Sequence, residues 1–288
     1  MCGARATPLT EDTMEPVDRD VFEQRLRHAV EAGEFQLYYQ PQHDATTHRI
    51  LGAEALLRWH DPVRGVLEPG DFLEALEATG LIVPVGEWVF KQVTADCQRW
   101  QRLRLPRLKM GVNVSPSQLT AEGAVALAQC VKEMRACCEL QIEISNVHLV
   151  SPLDSVIGAL HALRFAGADI SVQHFGLDDY THKRVWALPV DSIKIDRSFI
   201  SRMTEDPEID EELAGMLMLA RAYRLVSVAE GVETPQQSNR LRELNCDLTQ
   251  GYLHAQPMPA DRFEWLLRAE CYGRAVSAPR TGRMAYDA

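Results

Sequence analysis

The chain has 288 residues, enough for one large α/β domain or two small ones with a sizeable buried core. Its formal net charge of -11 argues against nonspecific binding to nucleic acid or to an acidic membrane, although a small anionic ligand needs only a few local cations. The seven cysteines are scattered and form no C-x-x-C pair, which predicts a reducing, cytoplasmic compartment. The sequence has no apolar run of membrane-spanning length and no apolar signal core, so no membrane insertion is expected.

The ends of the chain lack a periodic pattern, which predicts flexible segments over 1–17 and 271–288 around one domain at 18–270. Inside that domain, strand and helix patterns alternate. In chain order, the first half is predicted to form a helix over 21–33, strands over 35–41 and 49–59, helices over 71–80 and 86–103, a strand over 109–115, a helix over 124–138 and a strand over 140–145. The second half is predicted to form a helix over 154–167, strands over 169–173 and 191–196, a helix over 208–225, a strand over 227–231, a helix over 234–245, a strand over 247–251 and a helix over 260–270.

Repeated strand–helix units are typical of a (β/α)8 barrel or of a doubly wound sheet. Polar residues at the predicted strand ends favour the barrel, because a barrel gathers strand ends from the whole chain around one mouth. These residues are Glu54, Asn113, Glu143, Lys194, Glu230 and Gln250. Any one of them is more often a helix cap or a partner of a neighbouring cation than a metal ligand. As a set, their oxygens suit a hard divalent cation, and a lysine beside them suits a phosphate oxygen or an attacking water.

Five segments carry a resemblance to a known family. They are EALLRW (54–59), GVNVSPSQL (111–119), LPVDSIKIDRSF (188–199), AEGVET (229–234) and DLTQGYLHAQPMP (247–259). In this order they resemble the EAL-domain family of bacterial cyclic di-GMP phosphodiesterases and their catalytically degenerate relatives. The resemblance covers roughly residues 18–270 and implies an α/β fold, a modified TIM (β/α)8 barrel, with the dinucleotide lying across its carboxyl-terminal mouth.

The resemblance also implies roles for single residues. The metal-site positions would be Glu54, Asn113, Glu143, Glu230 and Gln250, and Lys194 would orient the nucleophilic water and phosphate. The residues that would hold the ligand are Gln40, Leu56, Arg58, Lys194, Glu233 and Pro257. Arg58 suits a phosphodiester oxygen, or alternatively it stacks as part of the scaffold.

The chain departs from the family where two metal-bridging aspartates of the Asp-Asp-Phe-Gly motif are expected. The segment reads Gln173-His174-Phe175-Gly176, and the altered loop over 177–182 and Asn146 change the parts that couple this site to the dimer interface. Without two carboxylates the metal pair should be held weakly, so no catalytic residue and no resident metal are expected. Two rescues carry less weight, namely ligation by Asp178 or Asp179 and binding of Zn²⁺ or Mn²⁺ by His174.

The sequence therefore predicts a noncatalytic, cofactor-free cyclic di-GMP receptor that signals through a protein effector, for example a PilZ-type protein, and that is compatible with a homodimer. Two alternatives stay open. One is a weakly active phosphodiesterase that uses Mg²⁺ or Mn²⁺, and the other is a nucleotide-independent docking barrel. The predicted domain also fits a piece of a longer protein, since EAL domains usually follow sensor or cyclase domains.

Overall fold

Eight strands close into a barrel in the computed structural model, which describes residues 16–145, 153–176 and 188–272. In order around the barrel they are β1 (Phe35–Asp44), β2 (Ile50–Asp61), β4 (Lys109–Val114), β5 (Glu139–Ile144), β6 (Asp169–Phe175), β7 (Ser192–Ile195), β8 (Val226–Glu230) and β9 (Leu248–Gln250). Strands β2 and β4 to β9 run parallel, whereas β1 is antiparallel to both of its barrel neighbours, β2 and β9. The predicted modified TIM barrel is confirmed.

Nine α-helices are described along this framework. They are α1 (Pro16–Ala32), α2 (Leu73–Ala78), α3 (Ile82–Arg102), α4 (Ala121–Met134), α5 (Leu153–Ala166), α6 (Arg197–Arg202), α7 (Pro207–Ala222), α8 (Pro235–Glu243) and α9 (Ala260–Tyr272). Side-chain caps set several of the starts, as at α4, where the Thr120 hydroxyl accepts a hydrogen bond from the Gly123 amide. Among the described residues no helix is both long enough and apolar enough to cross a membrane.

The structure adds elements that the sequence patterns did not predict. Strand β3 (Gly65–Leu67) extends β2 as a hairpin, and β10 (Met258–Pro259) pairs with β1 at Tyr38 and Tyr39. Helix α6 also went unpredicted. The altered loop over 177–182, with Asp178 and Asp179, and Asn146 lie outside the described residues.

Strand register brings the polar strand ends to one mouth of the barrel. Asn113 is paired with Glu143 across β4 and β5, and Glu230 is paired with Gln250 across β8 and β9. On the antiparallel side, Gln40 of β1 faces Glu54 of β2. Because the carboxyl ends of the parallel strands lie at the same edge, residues from the whole chain converge there, as the barrel prediction requires.

Candidate functional site

A buried lysine lies at the centre of the barrel mouth. The Lys194 side chain is fully buried, and its Nζ lies 2.7 Å from Glu54 Oε2, 2.7 Å from Glu143 Oε2 and 2.8 Å from Glu230 Oε1. A buried charge is tolerated only when it is paired and hydrogen-bonded, and here the three N–H bonds of the ammonium group have three carboxylate acceptors. Lys194 therefore holds together carboxylates from β2, β5 and β8.

Side-chain amides also donate hydrogen bonds to the carboxyl groups of Glu54 and Glu143. Asn113 Nδ2 donates to Glu54 Oε1 at 2.8 Å, and Gln250 Nε2 donates to Glu54 Oε2 at 2.8 Å. Gln173 Nε2 donates to Glu143 Oε2 and to Asn113 Oδ1, both at 2.8 Å. All six polar strand-end residues expected from the sequence therefore meet in one network with Gln173. Glu230 joins this network through Lys194.

The charges in this network shift one another's pKa values. Burial raises the pKa of Glu143 to about 8, and the nearby Glu54 carboxylate adds to the rise. For Glu54, burial also acts upward, but the charge and hydrogen bonds of Lys194 outweigh it and hold the pKa below its ordinary value. Near neutral pH, Glu143 is therefore the carboxyl that carries a proton.

Gly111 makes room for Glu143. A Cβ atom on Gly111 would lie 2.1 Å from Glu143 Oε1, so residue 111 admits no side chain while Glu143 keeps its place. Glu143 Oε1 is itself buried and has no hydrogen-bond partner in the described part of the chain. Because Glu143 Oε2 already accepts from Lys194 and Gln173, Oε1 is the oxygen that carries the proton of Glu143 near neutral pH.

An irregularity in β6 directs Gln173 and His174 towards the mouth. Consecutive residues of a regular strand point to opposite faces, but the register of β6 with β7 shifts between Val172 and Phe175, and His174 has a φ of 55°. This left-handed conformation is uncommon for a residue other than glycine. As a result, Gln173 joins the Glu143 network while His174 Nδ1 lies 2.9 Å from Asp196 Oδ2.

His174, Asp196 and Glu230 form a second cluster beside the lysine network. Each offers one ligand atom, and these atoms lie within 4.8 Å of one another. Asp196 was not singled out from the sequence. It directly follows β7 and caps α6 by accepting a hydrogen bond from the Ser198 amide, so its place after a strand inside the LPVDSIKIDRSF segment is the signal that could have identified it.

Of the expected ligand-holding residues, Lys194 lies at the centre of the mouth, and the side chains of Gln40 and Arg58 are already hydrogen-bonded. Gln40 Nε2 donates to Ala255 O at 3.2 Å, and Gln40 Oε1 accepts from Gln250 at 3.0 Å. Arg58 is 7% exposed, its guanidinium lies 5.5 Å from the Tyr38 ring centroid, and Nη1 donates to Leu57 O. Leu56 follows Glu54 on the same face of β2, with Arg58 two residues further. Glu233 is exposed and Pro257 is half-buried.

The closed α/β barrel with polar residues at its carboxyl mouth defines a TIM-barrel-type protein with a buried acidic site. A family model for the EAL domain matches residues 23–257, so the chain belongs to the EAL-domain family. It is 34% identical over 249 residues to the cyclic di-GMP phosphodiesterase NbdA of Pseudomonas aeruginosa, covering 86% of this chain and 32% of that protein. It is also 34% identical to the cyclic di-GMP phosphodiesterase RocR of the same organism, covering 80% of this chain and 59% of RocR.

A solved structure of a phosphodiesterase is also similar to this chain. The PaMucR phosphodiesterase in complex with c-di-GMP superimposes with a TM-score of 0.76 at 33% identity, covering 83% of this chain and 98% of that one. This chain thus spans less than two thirds of both curated relatives and nearly all of this solved domain.

These relatives correct the prediction that the chain is not an enzyme. Proteins similar to most of its length are named phosphodiesterases, and this points to an enzyme. Gln173 and His174 stand where two carboxylate ligands were expected. The irregularity in β6 places His174 beside Asp196 and Glu230, so that one nitrogen and two carboxylate oxygens lie within 4.8 Å of one another.

Proposed function

We propose that the chain is a cyclic di-GMP phosphodiesterase of low activity that works with one divalent metal ion. The observation that carries the proposal is the convergence of Glu54, Asn113, Glu143, Lys194, Glu230 and Gln250 at one mouth, in a family whose similar members are named cyclic di-GMP phosphodiesterases. A protein effector, a homodimer and a cytoplasmic location remain predictions from the sequence and the resemblance.

The residues present fit one metal ion better than a pair. Next to Glu143, the position where the family carries an aspartate holds the Gln173 amide, whose Nε2 is a hydrogen-bond donor and repels a cation. His174, Asp196 and Glu230 offer one nitrogen and two carboxylates within ligand range of one another. When bound there, a divalent ion would polarise a phosphoryl oxygen and lower the pKa of a coordinated water.

The chain's own residues orient the substrate and handle protons. Lys194 donates its three protons to oxygens of Glu54, Glu143 and Glu230, so it fixes the positions of these side chains and does not transfer a proton. Protonated Glu143 can donate towards a phosphodiester oxygen at the mouth, because its raised pKa keeps the proton available near neutral pH. Arg58, already held by Tyr38 and Leu57, presents a fixed cation at the rim.

Hydrolysis of cyclic di-GMP tests the proposal. The purified chain, freed of metal and then supplied with Mn²⁺ or Mg²⁺, is expected to release the linear dinucleotide, detected by liquid chromatography. The rate should be higher with Mn²⁺, because an imidazole ligand favours a transition metal over Mg²⁺.

Glu230→Gln should lower the rate by about 100-fold or more, since it removes a carboxylate that belongs both to the cluster of His174, Asp196 and Glu230 and to the ion pair with Lys194.

Glu208→Gln is the matched control, because Glu208 is an exposed glutamate on α7 outside this site. Its rate should equal that of the wild type. A wild-type preparation that releases no linear product with either metal contradicts the proposal, and so does a Glu230→Gln variant that is as active as the wild type. The second result would mean that a contaminating hydrolase produced the signal.

A further inference from the structure

A pocket of about 520 Å³ opens at the amino end of the barrel, opposite the mouth. Its lining includes Lys109, Glu139 and Val226, which are the first residues of β4, β5 and β8, and Asp44, which is the last residue of the antiparallel β1. Pockets that bind small molecules have volumes of about 300–1,000 Å³, so this amino-end pocket is large enough for one.

The amino-end pocket reaches into the barrel, up to the layer of residues beneath the network at the mouth. Gln141 lies two residues before Glu143 on the same face of β5, and Gly52 lies two residues before Glu54 on the same face of β2. Both line the pocket, and so does Gln42. Bulky branched side chains usually fill this part of a TIM barrel. Here a glycine and side-chain amides take their place, so the interior stays open from the amino end.

Gln141 keeps an unused hydrogen-bond acceptor at the inner end of the pocket. The residue is 3% exposed, and its Nε2 donates to Ser192 Oγ at 2.8 Å. Its Oε1 is buried and receives no hydrogen bond from the described part of the chain. Folded proteins seldom leave a buried polar atom unpaired. The unpaired oxygen therefore indicates a ligand that brings an N–H or O–H donor.

Three carboxylates line the outer part of the pocket, those of Asp44, Glu139 and Asp247. Within the described ranges, Asp44 accepts hydrogen bonds only on Oδ1 and Asp247 only on Oδ2, so each has a second oxygen for a ligand. The only group of three or more possible metal ligands among the described residues is the cluster at the mouth. The three carboxylates are thus too far apart to share one metal ion, and an extended cation fits them better.

The two cations at the pocket do not reverse its negative charge. Lys109 Nζ lies 2.6 Å from Asp169 Oδ2, so this lysine is already paired. Arg221 is then the one remaining lining cation against three carboxylates, and its Nη2 donates to Asn245 O at 3.4 Å. The pocket therefore attracts a positively charged ligand and repels an anion.

We propose that the amino-end pocket binds a linear organic polyamine. One ammonium group would donate to Gln141 Oε1, and the others would pair with the carboxylates at the opening. An ammonium group has three N–H donors and no acceptor, which matches this set of oxygens. Leu51, Val226 and Leu248 also line the pocket and suit the methylene stem between the ammonium groups.

Calorimetric titration of the full chain with spermidine tests this site. An ionic strength of 0.1 M gives a Debye length of about 10 Å, which weakens the general attraction of a polyamine to the net charge of -11. We expect a single bound spermidine per chain and no binding of 1,8-octanediol, an uncharged diol of the same length. Asp44→Asn, Glu139→Gln and Gln141→Met should each weaken the affinity for spermidine by about tenfold, the low end for a charge-assisted hydrogen bond.

Asp206→Asn is the matched control. Like Asp44, Asp206 accepts a hydrogen bond from a backbone amide, but it caps α7 and does not line this pocket. This variant should bind spermidine like the wild type. Thermal unfolding gives an independent readout, because spermidine should raise the Tm of the wild type and of Asp206→Asn more than that of Asp44→Asn.

Neither readout uses hydrolysis, so the result does not depend on the proposed phosphodiesterase activity. Glu139 is exposed, so Glu139→Gln decides the test even if Gln141→Met does not fold. Absence of spermidine binding, unchanged affinity in Asp44→Asn and Glu139→Gln, an equal loss in Asp206→Asn, or equally tight binding of 1,8-octanediol would each overturn the proposal.

Discussion

At the scale of single residues, Lys194 balances the charge of the site. Three carboxylates from three strands share its ammonium group, and together they raise the pKa of Lys194 well above its ordinary value although burial acts in the opposite direction. Removing one member of a buried ion pair leaves an uncompensated charge, whose cost exceeds the worth of the pair itself. The same lysine that orders the mouth therefore contributes to the stability of the barrel.

Replacing this lysine tests its structural role. Lys194→Met keeps an unbranched side chain of similar length but removes the charge, so we expect a loss of about 3–5 kcal/mol in the free energy of unfolding, measured with urea. Lys109→Met is the control, because Lys109 lies 2.6 Å from Asp169 in a pair that is partly exposed on both sides. That change should cost below about 1 kcal/mol. Equal losses in the two variants would contradict the role given to Lys194.

At the scale of elements, the alternation of strands and helices made most of the barrel predictable. A parallel strand order follows from strand–helix units, and parallel strands place their carboxyl ends together, so Glu54, Asn113 and Glu143 could be assigned to one mouth. The positions of Gln173 and His174 could not be predicted. Their positions depend on the shift in pairing register between β6 and β7 and on the positive φ of His174. Both features arise from tertiary packing.

The antiparallel β1 was unpredictable for a similar reason. Its pattern is that of an ordinary buried strand, and its direction is set by the short hairpin to β2 and by pairing with β9 at the other end of the chain. The amino-end pocket also escaped prediction, because its lining joins strands from both ends of the chain. Sequence patterns report local periodicity, whereas these contacts depend on packing between elements.

His43, where β1 pairs with β9, leads us to expect that the free energy of unfolding depends on pH. His43 on β1 is paired with Thr249 on β9, and its ring is stacked on His254 with centroids 4.4 Å apart. Burial lowers its pKa from 6.5 to about 4, with help from the charges of His254 and His48. Because the unfolded chain binds a proton at higher pH than the folded chain, the stability contributed by neutral His43 is present above pH 6.5 and is lost as the pH falls towards 4.

His43→Phe keeps an aromatic ring in the stack but does not titrate. Between pH 7 and 4 its free energy of unfolding should therefore fall less than that of the wild type, by up to about 3 kcal/mol. His161→Gln, at an exposed position on α5, is the control and should follow the wild-type curve. Parallel curves for His43→Phe and the wild type would show that protonation of His43 does not limit acid stability.

At the scale of the whole molecule, the net charge of -11 opposes the proposed substrate. Cyclic di-GMP carries two phosphates, and it must approach a mouth that holds Glu54, Glu230 and Asp196. A charge of this size creates a repulsive potential that salt screens, since the Debye length falls from about 30 Å at 0.01 M to about 10 Å at 0.1 M ionic strength. The fixed cation of Arg58 acts only at short range, after the ligand has reached the rim.

Raising the ionic strength from 0.01 to 0.1 M should therefore increase kcat/KM for cyclic di-GMP, by about two- to tenfold within the range known for electrostatic effects on encounter rates. The change should lie mostly in KM, because screening affects approach more than it affects contacts inside the site. Bis(p-nitrophenyl) phosphate, a phosphodiester with a single charge, is the matched substrate and should respond less. The salt series is run with KCl at a saturating, constant Mn²⁺ concentration so that metal binding does not vary. A decrease of kcat/KM with salt would mean that attraction by rim cations such as Arg58 outweighs the overall repulsion.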